Sequence, residues 1–228
     1  MARSTAMQRL ARWHIWLGWV AAVPLLLWTI SGLVMVARPI ETVRGNDLRI
    51  AQTRPAFDPS RIILPAGFTR PVRSLTYTLE PSGLTGRAEL IDGQIARFDA
   101  AGIALRDFDE LAARQLVARQ IVGGDKSVSA RLFAADRVPL DFRKPIAVWQ
   151  VVLADGTHVY VGKQSGQIEA VRTRFWRFYD FMWGLHIMDP VEREDTHHPV
   201  LIMAAISALA SCVLGTVLLL RRRRRASA

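Results

Sequence analysis

The chain has 228 residues, 50% of them hydrophobic, 22% charged and 8% aromatic, with one cysteine and a formal net charge of +10. Half-apolar content excludes an intrinsically disordered chain, which needs few apolar residues and high charge. A single cysteine excludes an internal disulfide framework and a multi-cysteine zinc site, and the length allows one or two domains.

The surplus of positive charge invites a nucleic-acid partner, but its location argues against one. Residues 1–37 and 199–228 contain no Asp or Glu; they hold Arg3, Arg9 and Arg12, and the run Arg221 to Arg225. Outside those eight arginines, 22 basic residues face all 20 acidic ones between residues 38 and 198, so the middle carries only +2. No nucleic acid is expected as a partner.

Residues 1–12 form a short basic segment. Residues 13–37 carry no charge unless His14 is protonated, and residues 199–220 carry none. Each run exceeds the ~20 apolar residues a helix needs to span a ~30 Å hydrocarbon core. With arginine clusters flanking both, they read as two transmembrane helices rather than buried core helices. A cleaved signal peptide is the rival for the first, but its apolar region is normally ~7–15 residues, and Met35-Val36-Ala37 is a poor small-x-small cleavage site. Trp13, Trp16 and Trp19 suit an interfacial anchor. Cationic flanks stay cytoplasmic. Both termini, including the basic tail 221–228, are therefore expected inside, with the middle in the periplasm of a bacterial inner membrane. Cys212 lies within the second span and needs no functional reading.

Ala37-Arg38-Pro39 ends the first helix, because proline disfavours helix in the residue before it. Residues 38–71 read as a polar, proline-punctuated linker. Strands are expected at 72–80, 87–91 and 94–99, the last two joined by a turn at Asp92-Gly93. Ala101-Gly102 closes this unit. A helix follows at 107–122, capped by Asp107 or Asp109 and ended by Gly123-Gly124. Further strands are expected at 127–134, 146–154, 157–161 and 167–171, with turns at Asp155-Gly156 and Ser165-Gly166. The two Asp-Gly turns resemble each other in their surroundings, and 90–102 parallels 153–166. Residues 72–171 therefore read as a duplicated α+β unit, with halves at about 72–106 and 107–171. In residues 172–188, Phe175, Phe178, Tyr179 and Met182, with Leu185 or His186, fall at helical spacing, and Trp176 and Trp183 lie one heptad apart. This segment reads as an amphipathic helix at the membrane interface.

Several short motifs carry a resemblance. Tyr160-Val161-Gly162-Lys163-Gln164-Ser165-Gly166-Gln167-Ile168, and Trp149 to His158 before it, resemble the PepSY domain. Arg12-Trp13-His14-Ile15-Trp16-Leu17-Gly18-Trp19, Thr29-Ile30-Ser31-Gly32 and Leu185-His186 are similar to PepSY-associated transmembrane proteins. The resemblance implies two transmembrane helices flanking a periplasmic PepSY-like α+β module of antiparallel sheet and helix. Many members of that family have four spans where this chain has two. Members are linked to iron and siderophore uptake, and some look like haem-containing membrane reductases with histidine ligands. The resemblance thus implies haem b and electron transfer toward periplasmic iron or siderophore reduction. PepSY domains also occur as protease propeptides and inhibitors, which leaves open a binding or regulatory module for a peptide, protease or transporter. A third option is an accessory subunit of a larger membrane complex.

Haem iron is commonly held by neutral imidazoles, which makes the histidines the candidate ligands. His14 is either an interfacial polar residue or a ligand. His186 ends the aromatic stretch and is either part of a lipid anchor or a ligand. His197 and His198 precede Pro199, which suits the first helical position; each either sits at the headgroups or ligates. His158 reads as a surface residue. His14 opens the first span inside and His186 lies outside, so they stand ~30 Å apart and cannot share one iron. His186 pairs with His197 or His198, whereas His14 needs a second protomer, which suggests a homodimer with one haem per leaflet. Glu192, Glu194 and Asp195, with Asp189, read as a solvated loop rather than a cation site.

Overall fold

The computed structural model describes residues 2–52, 56–63, 71–80 and 83–226, so parts of the expected linker and the last two residues of the tail lie outside the described residues. The chain divides into two compact units, Met1–Pro39 with Arg177–Ala228, and Ile40–Trp176.

In the first unit, α1 (Ala2–Val36) and α5 (Pro199–Ala226) are long helices packed together. Within them, Met7–Val36 and Pro199–Arg222 are each long and apolar enough to cross a membrane. Pro24 lies inside α1, where it removes one backbone donor. Sets of the shielded positions recur in sevens. On α1 they are His14, Ala21 and Trp28, alternating with Leu17, Pro24 and Ser31. On α5 they are Leu201, Ala208 and Gly215, alternating with Ala204, Ser211 and Leu218. A heptad seam is the geometry of two helices wound on each other. Small residues in the seam let the backbones approach. The large apolar side chains, such as Trp16, Trp19, Leu33, Met203, Leu209 and Leu219, point away from it and are exposed. This is the reverse of a water-soluble helix pair, which hides its large apolar residues in the contact stripe.

Residues 172–188, expected as one amphipathic helix, form α4 (Arg174–His186). Thr173 Oγ1 caps it by accepting from the Trp176 backbone N–H at 2.9 Å. The boundary between the units falls within this helix. The following residues 187–198 fold back on its last turns. Arg193 donates to Asp180 Oδ2 at 2.8 Å, the Trp183 indole N–H donates to the Arg193 carbonyl at 3.1 Å, and the Asp189 carboxylate accepts from the backbone N–H groups of Glu192, Glu194 and Asp195. The carbonyl of His186, the last residue of α4, accepts from the Trp28 indole N–H on α1 at 2.7 Å. Only the short stretch 187–198 then separates α4 from α5, so α5 starts near that end of α1 and runs antiparallel to it.

In the second unit, β1 (Val72–Glu80), β2 (Gly83–Leu90) and β3 (Ile95–Asp99) form an antiparallel meander, and β4 (Ser127–Phe133), β5 (Val148–Leu153), β6 (His158–Gly162) and β7 (Ile168–Arg172) form a second. Both Asp-Gly turns are built alike. Gly93 and Gly156 each have φ +80°, a left-handed conformation that glycine adopts without steric cost. The preceding aspartates accept from the backbone N–H groups of Gln94 and Thr157. After β3, Ala104 bridges back to Phe98, in the place where β7 pairs with β6 in the second meander. β2 starts at Gly83 rather than at 87, because its glycine-rich beginning pairs with β1 from Gly83 and with β3 from Thr85.

Between the meanders lies α3 (Glu110–Gln120). Of the two expected caps, Asp109 acts, accepting from the Ala112 backbone N–H at 2.8 Å. The helix is shorter than 107–122 because both ends are pulled into extended pairing. Phe108 N–H donates to the Lys163 carbonyl, and Ile121 bridges to Arg49. Ala113, Leu116, Val117 and Ile121 pack on Val151, Leu153, Val159, Val161, Ile168 and Val171 of the second sheet, with Leu48 beside them. The opposite face of that sheet buries Tyr160 and Ala170 under Phe142, Val138 and Ile146. The stretch expected as a linker therefore does more than connect. It forms a single-turn helix, α2 (Ile40–Val43), and then brings Leu48 and Arg49 against α3 and the strands.

Candidate functional site

His186 is the most constrained of the expected site residues. Its Nδ1 lies 2.9 Å from Ser31 Oγ, its ring stacks on Trp183 at 6.5 Å and 17°, and its Cε1 faces Gly32. Ser31 is almost fully buried and also reaches the Leu27 carbonyl at 2.5 Å. Nε2 of His186 makes no hydrogen bond among the described residues. The indole bond to its carbonyl satisfies one of the acceptors a helix end leaves open.

His14 lies at the other end of the seam, against Gly215. A Cβ at Gly215 would stand 3.0 Å from His14 Cε1 and 3.3 Å from Nε2. Its Nδ1 is buried with no hydrogen-bond partner among the described residues. His14 and Ser31 lie on one helix, ~25 Å apart at about 1.5 Å of rise per residue. His14 and His186 therefore occupy separate places.

Starting from the His14–Gly215 contact, the step forward along α1 to Ser31 equals the step back along the antiparallel α5 to His198. By that count His198, the residue just before α5, falls at about the depth of Ser31. Its Nδ1 is also buried without a hydrogen-bond partner among the described residues. His197 is exposed, and its Nδ1 lies 3.4 Å from the Thr196 hydroxyl. Of the four expected ligands, His186 packs against α1 at Ser31, His14 lies far along the same helix against Gly215, His198 has a buried Nδ1, and His197 is exposed. Among the described residues no group of three or more His, Cys, Asp or Glu side chains is arranged to hold a metal ion. The acidic loop residue Asp189 spends its oxygens on backbone donors.

Sequence reasoning puts His158 on the surface; the structure places it half-buried in a polar cluster on the second sheet. Its Nδ1 lies 3.0 Å from Asp141 Oδ2, while Tyr160, fully buried and stacked on Phe142 at 4.7 Å, donates to Asp141 Oδ1 at 2.7 Å. Gln150 donates to the Tyr160 hydroxyl, and Arg172 donates to the Asp141 carbonyl at 2.7 Å. Burial and the Asp141 charge push the Tyr160 phenol far up. Burial works to raise the Asp141 carboxyl, but the hydrogen bonds from His158 and Tyr160 outweigh it and hold it below the usual carboxylate range. A depressed folded pKa stabilises above the unfolded value of ~3.9 and is lost as pH falls through the folded value. The melting temperature is expected to drop below about pH 4, and Asp141→Asn is expected to flatten that acid limb in thermal melts. Identical acid limbs in the two proteins would remove Asp141 from this role.

No family model matches the chain, no curated protein matches it, and no solved structure matches it.

Proposed function

We propose that this protein is an inner-membrane electron carrier. Its two long helices cross the bilayer with both termini cytoplasmic, and its α+β module, a PepSY-like and internally duplicated unit, works in the periplasm on iron or siderophore reduction or uptake. The helix pair supports the membrane reading, because small residues on α5 line the seam while many large apolar side chains face outward, which suits lipid as the solvent. The absence of acidic residues from both runs and the terminal arginines support the orientation.

The single observation that carries the redox reading is that His186 and His198 each keep an imidazole nitrogen without a hydrogen bond among the described residues. His186 has a held ring and a free Nε2, and at about its depth His198 has a buried, unpartnered nitrogen. Buried polar atoms are normally satisfied, and two imidazoles at one depth are the donor set of a b-type haem. His186 and His198 would hold the iron, and bound haem supplies a one-electron couple. Around it, Trp183 fixes the His186 ring plane, Trp28 anchors its backbone, and the Asp180–Arg193 pair keeps the connecting loop closed. His14 fits less directly. Its ring lies in the α1–α5 seam, so an inner haem shared with a second protomer requires it to rotate out past Gly215.

Haem titration of the detergent-purified protein tests this reading. The wild type and His197→Ala are expected to bind with a six-coordinate spectrum. His186→Ala and His198→Ala are each expected to lose that spectrum. Loss with His197→Ala and retention with His198→Ala would overturn the pairing.

The second reading is a tethered binding module, favoured by two edge strands. β1 exposes Val72 and Leu75, and β4 exposes Val128 and Leu132, which are surfaces that can accept an added peptide strand. A wild type that stays free of haem while capturing an extended peptide would select it.

A further inference from the structure

We infer that Ser31 fixes His186 as its Nδ1-protonated tautomer, leaving Nε2 as the ring's only lone pair and so the nitrogen that binds a metal or accepts a proton. A serine hydroxyl has one proton and two lone pairs. Ser31 Oγ stands 2.5 Å from the Leu27 carbonyl oxygen. Two oxygens at that distance need a proton between them, and the carbonyl has none, so the hydroxyl proton points to Leu27. Its other near neighbour on α1, the Trp28 carbonyl at 3.3 Å, is also only an acceptor. The hydroxyl is left with lone pairs to face His186 Nδ1 at 2.9 Å. If that nitrogen also carried a lone pair, two acceptors would meet in a buried seam. The bond forms only when Nδ1 carries the proton and donates it to Ser31.

The neighbours hold this arrangement rather than compete with it. Trp183 stacks on the ring without offering it a polar atom, and Trp28 directs its indole N–H to the His186 carbonyl instead of the imidazole. Gly32 lies beside the ring edge, where a Cβ would stand in ordinary contact at 3.7 Å from Cε1. Ser31 is thus a positioning residue, acting through His186 as outer partners of metal-bound histidines do when they set tautomer and orientation. The tautomer assignment stands on this geometry alone; the role of Nε2 as an iron ligand rests on the haem reading above.

The experiment uses the full chain with 15N-labelled histidine in lipid nanodiscs, without haem, at a pH where the ring is neutral. The His186 resonances are identified by their loss in His186→Gln. The wild type is expected to show protonated Nδ1 and bare Nε2. Ser31→Ala is expected to move His186 toward the Nε2-protonated form that unconstrained imidazoles prefer. Trp28→Phe, which removes the bond to the carbonyl and leaves Ser31 in place, is expected to keep the wild-type pattern. A wild-type His186 protonated on Nε2, or one unchanged by Ser31→Ala, overturns the inference. A haem titration of the same proteins separates the two claims. If haem binds, Ser31→Ala is expected to weaken it by ~10–100-fold. If haem fails to bind while the tautomer pattern holds, the haem reading falls and the Ser31 assignment stands.

Discussion

Asp180→Ala is expected to release residues 187–198 from α4 and to weaken their packing by about 3 kcal/mol, the lower end of the range for breaking a buried ion pair from one side. Asp180 and Arg193 have side chains only 6% and 19% exposed, and they meet at 2.8 Å. Removing the carboxylate leaves the guanidinium with its bond to the Pro190 carbonyl and the Phe181 ring beneath it, and without its ionic partner. The fit around the pair leaves little room to adjust. A Cβ on Gly184 would stand 2.7 Å from Arg193 Cγ and 2.9 Å from the Asp189 carbonyl oxygen. Arg193 and Met188 also hold φ values of +61° and +58°, conformations that persist in bulky residues only when surrounding contacts enforce them. With the clamp gone those residues are expected to relax, and the loop should become a site of limited proteolysis while α1 and α5 remain resistant. Because the loop connects His186 to His198, weakened haem binding is expected alongside the cleavage. Wild-type resistance to protease in Asp180→Ala would show that the pair does not hold the loop.

Gly86→Ala is expected to destabilise the first sheet by about 3 kcal/mol, on the scale of displacing a buried phenylalanine. The sign is the informative part. Glycine inside a strand normally destabilises by ~0.5–1 kcal/mol relative to alanine, so the ordinary expectation is a gain. Gly86 sits in the central strand, paired with Tyr77 on one side and Phe98 on the other. The Phe98 ring lies across the glycine, 2% exposed, and meets Tyr77 edge-on at 5.6 Å and 74°. An alanine Cβ would overlap the edge of that ring at Cε2, so the ring must leave its site. Chemical unfolding of the full chain, followed by aromatic circular dichroism, reads the effect. A midpoint at or above the wild type would mean that the ring moves aside without losing its burial.

Both predictions depend on contacts that local sequence pattern does not announce. The long helices were legible because length and the absence of charge suffice to define them. The Asp-Gly turns and the Asp109 cap were legible because their chemistry is local. The early start of β2 was not. Gly83-Leu84-Thr85-Gly86 has poor strand propensity by itself and is a strand through its pairing with β1, joined by β3 at Thr85 and Gly86. α2 is too short to show a period. His158 reads as exposed from its place beside a turn; its partner Asp141 comes from a loop well upstream in the chain. Ser31 and His186 lie 155 positions apart, and their contact exists only because α4 returns to α1. The motif around Ser31 was visible as Thr29-Ile30-Ser31-Gly32, but its partner was not. The small-residue seam Ala204, Ala208, Ser211 and Gly215 is written openly in α5. What distinguishes His198 from His197 is burial, which the adjacent pair of identical residues does not show in the sequence.

The haem site proposed at His186 and His198 has a direct optical test. The most direct measurement is the oxidised and dithionite-reduced absorption spectrum of the detergent-purified wild type after haem reconstitution. The predicted result is a Soret band that sharpens and shifts on reduction, with the resolved α and β bands of bis-histidine ligation. A spectrum that stays that of free haem in both states would contradict it.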